Sequence, residues 1–272
     1  MNTLKSGGKL LKRDEQFLES GSSAYTVDER WLAGWVGIAA IALPCVLIIT
    51  TFWQVCFHYS ISHFFYTGLP GTIFVLVLSG VGMFLLAYRQ ANKFVTSAAQ
   101  ISGVAAFLVA LFPTSGDGCD DPTATAMRPF ASLQGLDTDS PLFTKDPPSF
   151  LMSDLSPWIH YVSAMVVFGF LTLYCLCVLT QMDDLKYRSS GGELTTAKKA
   201  RNTIYYICGY TMLSGMLALL AYWMFEFEWW NDYKLTFVAE AMVLVPFGIA
   251  WLLKGRFVPG VLQDPVDRRK AS

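Results

Sequence analysis

Charge is scarce in this sequence. Only 15% of its 272 residues are Lys, Arg, Asp or Glu, whereas 53% are apolar and 15% aromatic. A soluble domain carries about a quarter of its residues as charges, so an ordinary water-surrounded fold is excluded. Histidine is scarcer still, with His58, His63 and His160 the three in the chain, and no H-x-x-x-H or H-E-x-x-H spacing occurs. That removes the helical metalloprotease pattern. Histidine pairs at matching depths in facing helices are missing too, which argues against a membrane-spanning b-type haem. Gly and Pro breaks do not recur symmetrically, as an inverted-repeat transporter would require, and no internal repeat is evident. The first thirty residues have no apolar core, so no cleaved secretory signal is expected. The closing DRRKAS holds neither a prenylation box nor a retention signal.

Long apolar runs are plentiful. Six of them, at 31–53, 70–88, 95–112, 158–181, 204–224 and 235–253, have roughly the 17 to 25 residues that take a helix across a bilayer core. An open strand in lipid would leave its backbone groups unsatisfied, so these runs read as helices. The expected fold is all-α, a polytopic bundle of six transmembrane helices over 31–256, with tails at 1–30 and 257–272 and a long acidic loop at 113–157. Basic residues orient it. If the N-terminus lies inside, 17 of the 20 Lys and Arg fall on the inner side, as the positive-inside rule asks. Trp31, Trp35 and Trp251 then mark the inner boundary, and Trp53, Trp158, Trp223, Trp229 and Trp230 the outer. Both termini are expected in the cytoplasm of a multi-pass protein of the cell membrane, in a bacterial inner membrane. The lipid bilayer is the first partner, and no nucleic acid is expected.

The outward segments differ from one another. The stretch CFHYSISHFFYTG, at 56–68, lies within about sixteen residues without a Lys, Arg, Asp or Glu. The 113–157 loop holds seven aspartates, and a loop of this length is more often a lid, a docking surface or a mobile segment than a connector. A protein partner is expected to dock there if anywhere. On the inner side, the polar 182–202 segment ends in Lys198, Lys199 and Arg201, which are expected to anchor the fifth helix against anionic headgroups.

Candidate chemistry gathers at the outer side, where all three histidines, Cys56, Cys119 and the aspartates of GDGCDD fall. His160 follows Pro157 in the first turn of the fourth helix. Glu240 lies about five residues, or roughly 8 Å, into the sixth helix, and an ionisable group inside a span marks a site by default. Imidazole and carboxylate suit zinc, whose bound water ionises near neutral pH. The candidate ligand set is His63, His160 and one of Asp120 or Asp121. Glu240 would be a general base or orient a ligand, and Ser60 or Ser62 would donate to a developing oxyanion. Plainer roles compete with these. His58 and His63 sit among Phe57, Tyr59, Phe64, Phe65 and Tyr66, as interfacial anchors do. His160 can be a polar cap, and Glu240 can bind a backbone or Tyr group across the bundle. GDGCDD could take calcium, Cys56 and Cys119 could pair in an oxidising compartment, and Cys45, Cys175, Cys177 and Cys208 read as small packing residues.

The chain resembles an uncharacterised family of prokaryotic six-helix membrane proteins. The resembling residues are SIS and YT within Ser60 to Thr67, LAYR from Leu86, AFLVALFPT from Ala106, HYVSA from His160, RNTIYYICG from Arg201 and EAMVLVPFGIAWLLKGR from Glu240. That resemblance implies a fold and no activity. More distantly, the order of residues is similar to the superfamily of alkaline ceramidases and progestin and adiponectin receptors, membrane-embedded zinc hydrolases. It implies metal ligands at His63, at Asp120 or Asp121, and at His160. The sequence departs from that pattern at Tyr59, four residues before His63, and at Ala164, four after His160. The expected activity is a metal-dependent hydrolase of lipid-like ester or amide bonds at the outer leaflet. The alternative is a non-catalytic docking subunit, or a pH or metal sensor.

Overall fold

The computed structural model describes residues 29–54, 57–114, 155–181, 187–188 and 192–258. Six helices in it are long and apolar enough to cross a membrane. They are α1 (Glu29–Gln54), α2 (Leu69–Ala87), α3 (Lys93–Leu111), α4 (Leu155–Leu173), α5 (Thr196–Phe225) and α6 (Leu235–Lys254). A π turn, Tyr174–Leu179, prolongs α4. The described residues contain no strand, and only an isolated bridge joins Arg188 to Leu194. Large apolar side chains such as Leu76, Met83, Phe94, Ile101, Leu173 and Leu217 face outwards. Water would not tolerate such a surface and lipid tails would, so the chain is a multi-pass integral membrane protein.

Successive helices run antiparallel and pack on their chain neighbours, while α6 returns to lie against α1. The start of α1 and the end of α6 meet, with the rings of Trp31 and Phe257 5.7 Å apart. Among the described residues, one end of the bundle therefore gathers Arg188, Lys254 and Arg256, and the other gathers the three histidines. Close crossings are built on glycine. A Cβ on Gly37 of α1 would stand 2.8 Å from the Gly248 carbonyl of α6, and one on Gly248 would stand 2.6 Å from the Gly37 carbonyl. Bare backbone on both sides lets the two helices touch, as small residues commonly do in membranes.

At the basic end, α5 begins eight residues before its apolar run. Thr195 starts it by accepting the Lys198 amide at 3.3 Å, an ordinary N-cap. This corrects the expectation for Lys198 and Arg201, which are buried and turned away from headgroups. Lys198 Nζ donates to the Leu179 carbonyl at 3.3 Å, and the Arg201 guanidinium lies over the Tyr187 ring at 4.8 Å. Lys199 alone of the three is exposed, 3.1 Å from Glu193.

At the opposite end, residues 57–68 fold into the mouth of the bundle. Ile61, Phe64, Phe65 and Tyr66 are buried against Leu43, Leu47, Phe74, Leu78, Phe237 and Leu244. A short 3-10 turn, Ser62–Tyr66, shapes the segment. Its lack of charge now has a cause: irregular backbone at this depth is tolerated only when enclosed by protein, and a charged side chain here would need its own partner.

Candidate functional site

Glu240 sits on α6 one turn beyond Phe237, whose amide donates to the Tyr59 carbonyl at 2.7 Å. That bond supplies an acceptor to an otherwise orphan amide of the first helical turn, and it brings residues 59–62 against the Glu240 carboxylate. Ser60 Oγ donates to it, 2.9 Å from Oε1 and 3.0 Å from Oε2, and the Ile61 amide donates to Oε2 at 2.5 Å. Ser62 completes the cluster, with its amide 3.1 Å and its Oγ 2.8 Å from Ser60 Oγ. No Lys or Arg pairs with Glu240 among the described residues. Hydroxyl and amide dipoles meet the carboxylate instead, an arrangement suited to a poorly hydrated place. Part of the plain reading thus holds, since Glu240 binds backbone across the bundle. The structure adds two hydroxyls to it.

Beside this cluster is a cavity of about 40 Å³, room for two or three waters. Ser62, Glu240 and His160 are the polar side chains on its wall, and Leu43, Phe74, Leu78, Val109, Phe168 and Leu244 are among the apolar ones. Residues from the entering segment, α4 and α6 therefore share one small space, while His63 is not on its wall.

His160 is held from behind. Its Nδ1 donates to the Phe112 carbonyl at 2.7 Å, and the Val109 carbonyl also faces the ring. Next to it, Ser156 Oγ donates to the Pro113 carbonyl at 3.1 Å, and Tyr66 OH donates to the Thr114 carbonyl. Three successive carbonyls after α3 are thus each taken by a buried side chain. The first belongs to the C-cap of α3 and the other two to the residues that follow it, so His160 serves as a cap, though for the helix before its own.

His63 lies near enough to His160 for their charges to interact. Its ring is 4.8 Å from Tyr59 and stacks with His58 at 6.5 Å. His58 is not the exposed anchor its aromatic neighbours suggested. It is 4% exposed and packs its edge against Phe64 at 4.9 Å. Burial, then the nearby His63 and Lys234 charges, lower its pKa from 6.5 to about 4. The ring is accordingly neutral at physiological pH.

Among the described residues, no three His, Cys, Asp or Glu side chains converge as a metal site. Asp120, Asp121, Cys56, Cys119 and the GDGCDD motif lie outside the described residues. Cys175 and Cys208 are buried, as packing residues should be, while Cys45 and Cys177 face outwards.

A second constellation, at the basic end, had no sequence signal. Lys254 Nζ donates to Tyr88 OH and, at 3.1 Å, to Tyr174 OH, and it lies 4.1 Å from the centres of the Tyr88 and Trp251 rings. The π turn brings Tyr174 to this cage, and such turns are frequent where helices carry special roles. Only the sequence LAYR and KGR marks the place, and nothing in either specifies that they meet. Comparison with family models, with curated proteins and with solved structures finds no match for this chain.

Proposed function

We propose that the chain is a multi-pass protein of the cell membrane, with both termini in the cytoplasm, whose outer end hydrolyses lipid-like ester or amide bonds. The observation that carries this reading is the buried Glu240 carboxylate, hydrogen-bonded to a pair of serines at the edge of a mostly apolar cavity. A carboxylate without a cationic partner is a base, and a serine hydroxyl is an acid or a nucleophile. The skew of Lys and Arg supports the orientation, which brings the cavity to the outer leaflet. The resemblance to membrane-embedded zinc hydrolases agrees in reaction class. In its metal form the reading uses His63 and His160, with Asp120 or Asp121 as third ligand. The test is turnover of a panel of lipid esters and amides by the purified protein in detergent, beside elemental analysis. Turnover lost in Glu240→Gln supports the reading, and failure to cleave any member of the panel in a folded preparation overturns it. About one zinc per chain, lost in His160→Ala, would assign the metal form.

A second reading has its own observation, the buried neutral His58 stacked on His63 with the Lys234 charge nearby. Protonation of both rings sets like charges side by side, so this end of the bundle is suited to sensing acid. The test is limited proteolysis between pH 7 and pH 4. A cleavage pattern that changes in the wild type and stays constant in His58→Phe would support it.

A further inference from the structure

The two serines at Glu240 are not equivalent, and their proton count separates them. We infer that Ser62 is the nucleophile of this site and that Glu240 is its base, acting through Ser60; the inference rests on the hydrolase reading and supplies its covalent step.

In the ionised form that a base requires, the Glu240 carboxylate only accepts hydrogen bonds, so in that form the single hydroxyl proton of Ser60 is committed to it, within 2.9 and 3.0 Å of its two oxygens. Ser60 Oγ also receives the Ser62 amide at 3.1 Å. The 2.8 Å contact between the two hydroxyls must then run from Ser62 to Ser60, because Ser60 has no second proton to give. Ser62 therefore spends its proton away from the cavity and keeps a lone pair for it. Of the two serines, Ser62 is the one on the cavity wall. Ile61 fixes the register: its amide on Glu240 Oε2 holds the backbone between the serines in place. Nearly all the remaining wall is apolar, and its volume of about 40 Å³ has room for the reacting carbonyl group rather than for an acyl chain.

The step balances without any redox partner. Ser62 Oγ bonds to the acyl carbon while its proton passes to Ser60 and the Ser60 proton passes to Glu240. The bond from carbon to the leaving oxygen or nitrogen then breaks as Ser60 gives its proton to that atom and recovers one from Glu240, Ser62 Oγ being held by the acyl carbon. Water adds to the acyl-Ser62 ester, the chain again carries its proton, and the carboxylic acid leaves with Ser62 restored.

The experiment treats the full-length protein in detergent with an alkyl fluorophosphonate, which phosphonylates a nucleophilic serine with loss of fluoride, and maps the adduct by peptide mass spectrometry. The expected result is one adduct, on Ser62. It disappears in Ser62→Ala, forms about 100-fold more slowly in Ser60→Ala and Glu240→Gln, and is unaffected by a chelator. Ser62→Cys, nearly equal in size, should be alkylated by iodoacetamide at position 62 at a rate that again depends on Glu240, which keeps the test open if Ser62→Ala fails to fold. Lipid-ester turnover without an adduct, or full turnover by Ser62→Ala, overturns the inference and leaves the hydrolase reading standing. An adduct on Ser62 with no turnover supports the nucleophile and overturns the lipid-like substrate. Absence of both overturns inference and reading together.

Discussion

At the residue scale, Glu240 shows how a charge can be kept inside a span. Its two oxygens are shared between one hydroxyl and one amide, so removing it orphans both donors in a place with little water. Glu240→Ala should lower stability by about 2 to 4 kcal/mol, because each buried donor left unpaired costs about 1 to 3 kcal/mol. Glu240→Gln keeps an acceptor for Ile61 and should lose less than half of that. Thermal unfolding in detergent would measure both, and equal losses would mean that the carboxylate does not hold this segment. His58 makes a second prediction. Its folded pKa, about 4, lies below the 6.5 of the exposed ring, so the unfolded chain binds the extra proton. Stability from this group is complete above about pH 6.5, falls as the pH drops, and is fully lost below about pH 4. The whole span is worth about 3 kcal/mol. His58→Phe should flatten the dependence of the unfolding midpoint in that window, and an unchanged slope would show that His58 is not its source.

At the scale of elements, two devices hold the histidine end together. The entering segment replaces what might have been a surface loop, and the residues after α3 give their carbonyls to His160, Ser156 and Tyr66. The run FPT and the pair HY were visible in the sequence as separate features, and their meeting was not, because hydrogen bonds between positions 48 residues apart leave no periodic trace. His160→Phe should therefore lower the unfolding temperature even if catalysis never involves it, by leaving the Phe112 carbonyl without its donor. Helix contact makes a further prediction. Gly248→Ala would press a methyl group to 2.6 Å from the Gly37 carbonyl and 2.5 Å from Ile41. Overpacking of this kind costs about 1 to 3 kcal/mol. Gly80→Ala, where a Cβ meets nothing within 4 Å, is the control, and equal behaviour of the two would refute a tight α1–α6 crossing.

At the scale of the whole molecule, the six helices form a ring of chain neighbours closed by α6 on α1, with the Glu240 cluster and the Lys254 cage at opposite ends. The proposed orientation predicts that a fluorescent reporter fused after Ser272 folds and shines, whereas an exported phosphatase fused there stays inactive; the opposite pair of results would invert the topology. Composition and run length by themselves determined that the chain is helical and membrane-spanning, since the cost of an unsatisfied backbone in lipid depends on residue type and length alone. They also indicated Glu240, because an ionisable residue inside an apolar run needs no partner to be conspicuous. The tertiary structure decided what that carboxylate touches, that His58 is buried and His160 caps α3, and that Lys198 and Arg201 turn inwards. It also brought Tyr88, Tyr174 and Lys254 together. Each of these depends on which side chain from a distant helix arrives at a given depth and rotation, and hydropathy, which counts residues along one helix, carries no information about its neighbour.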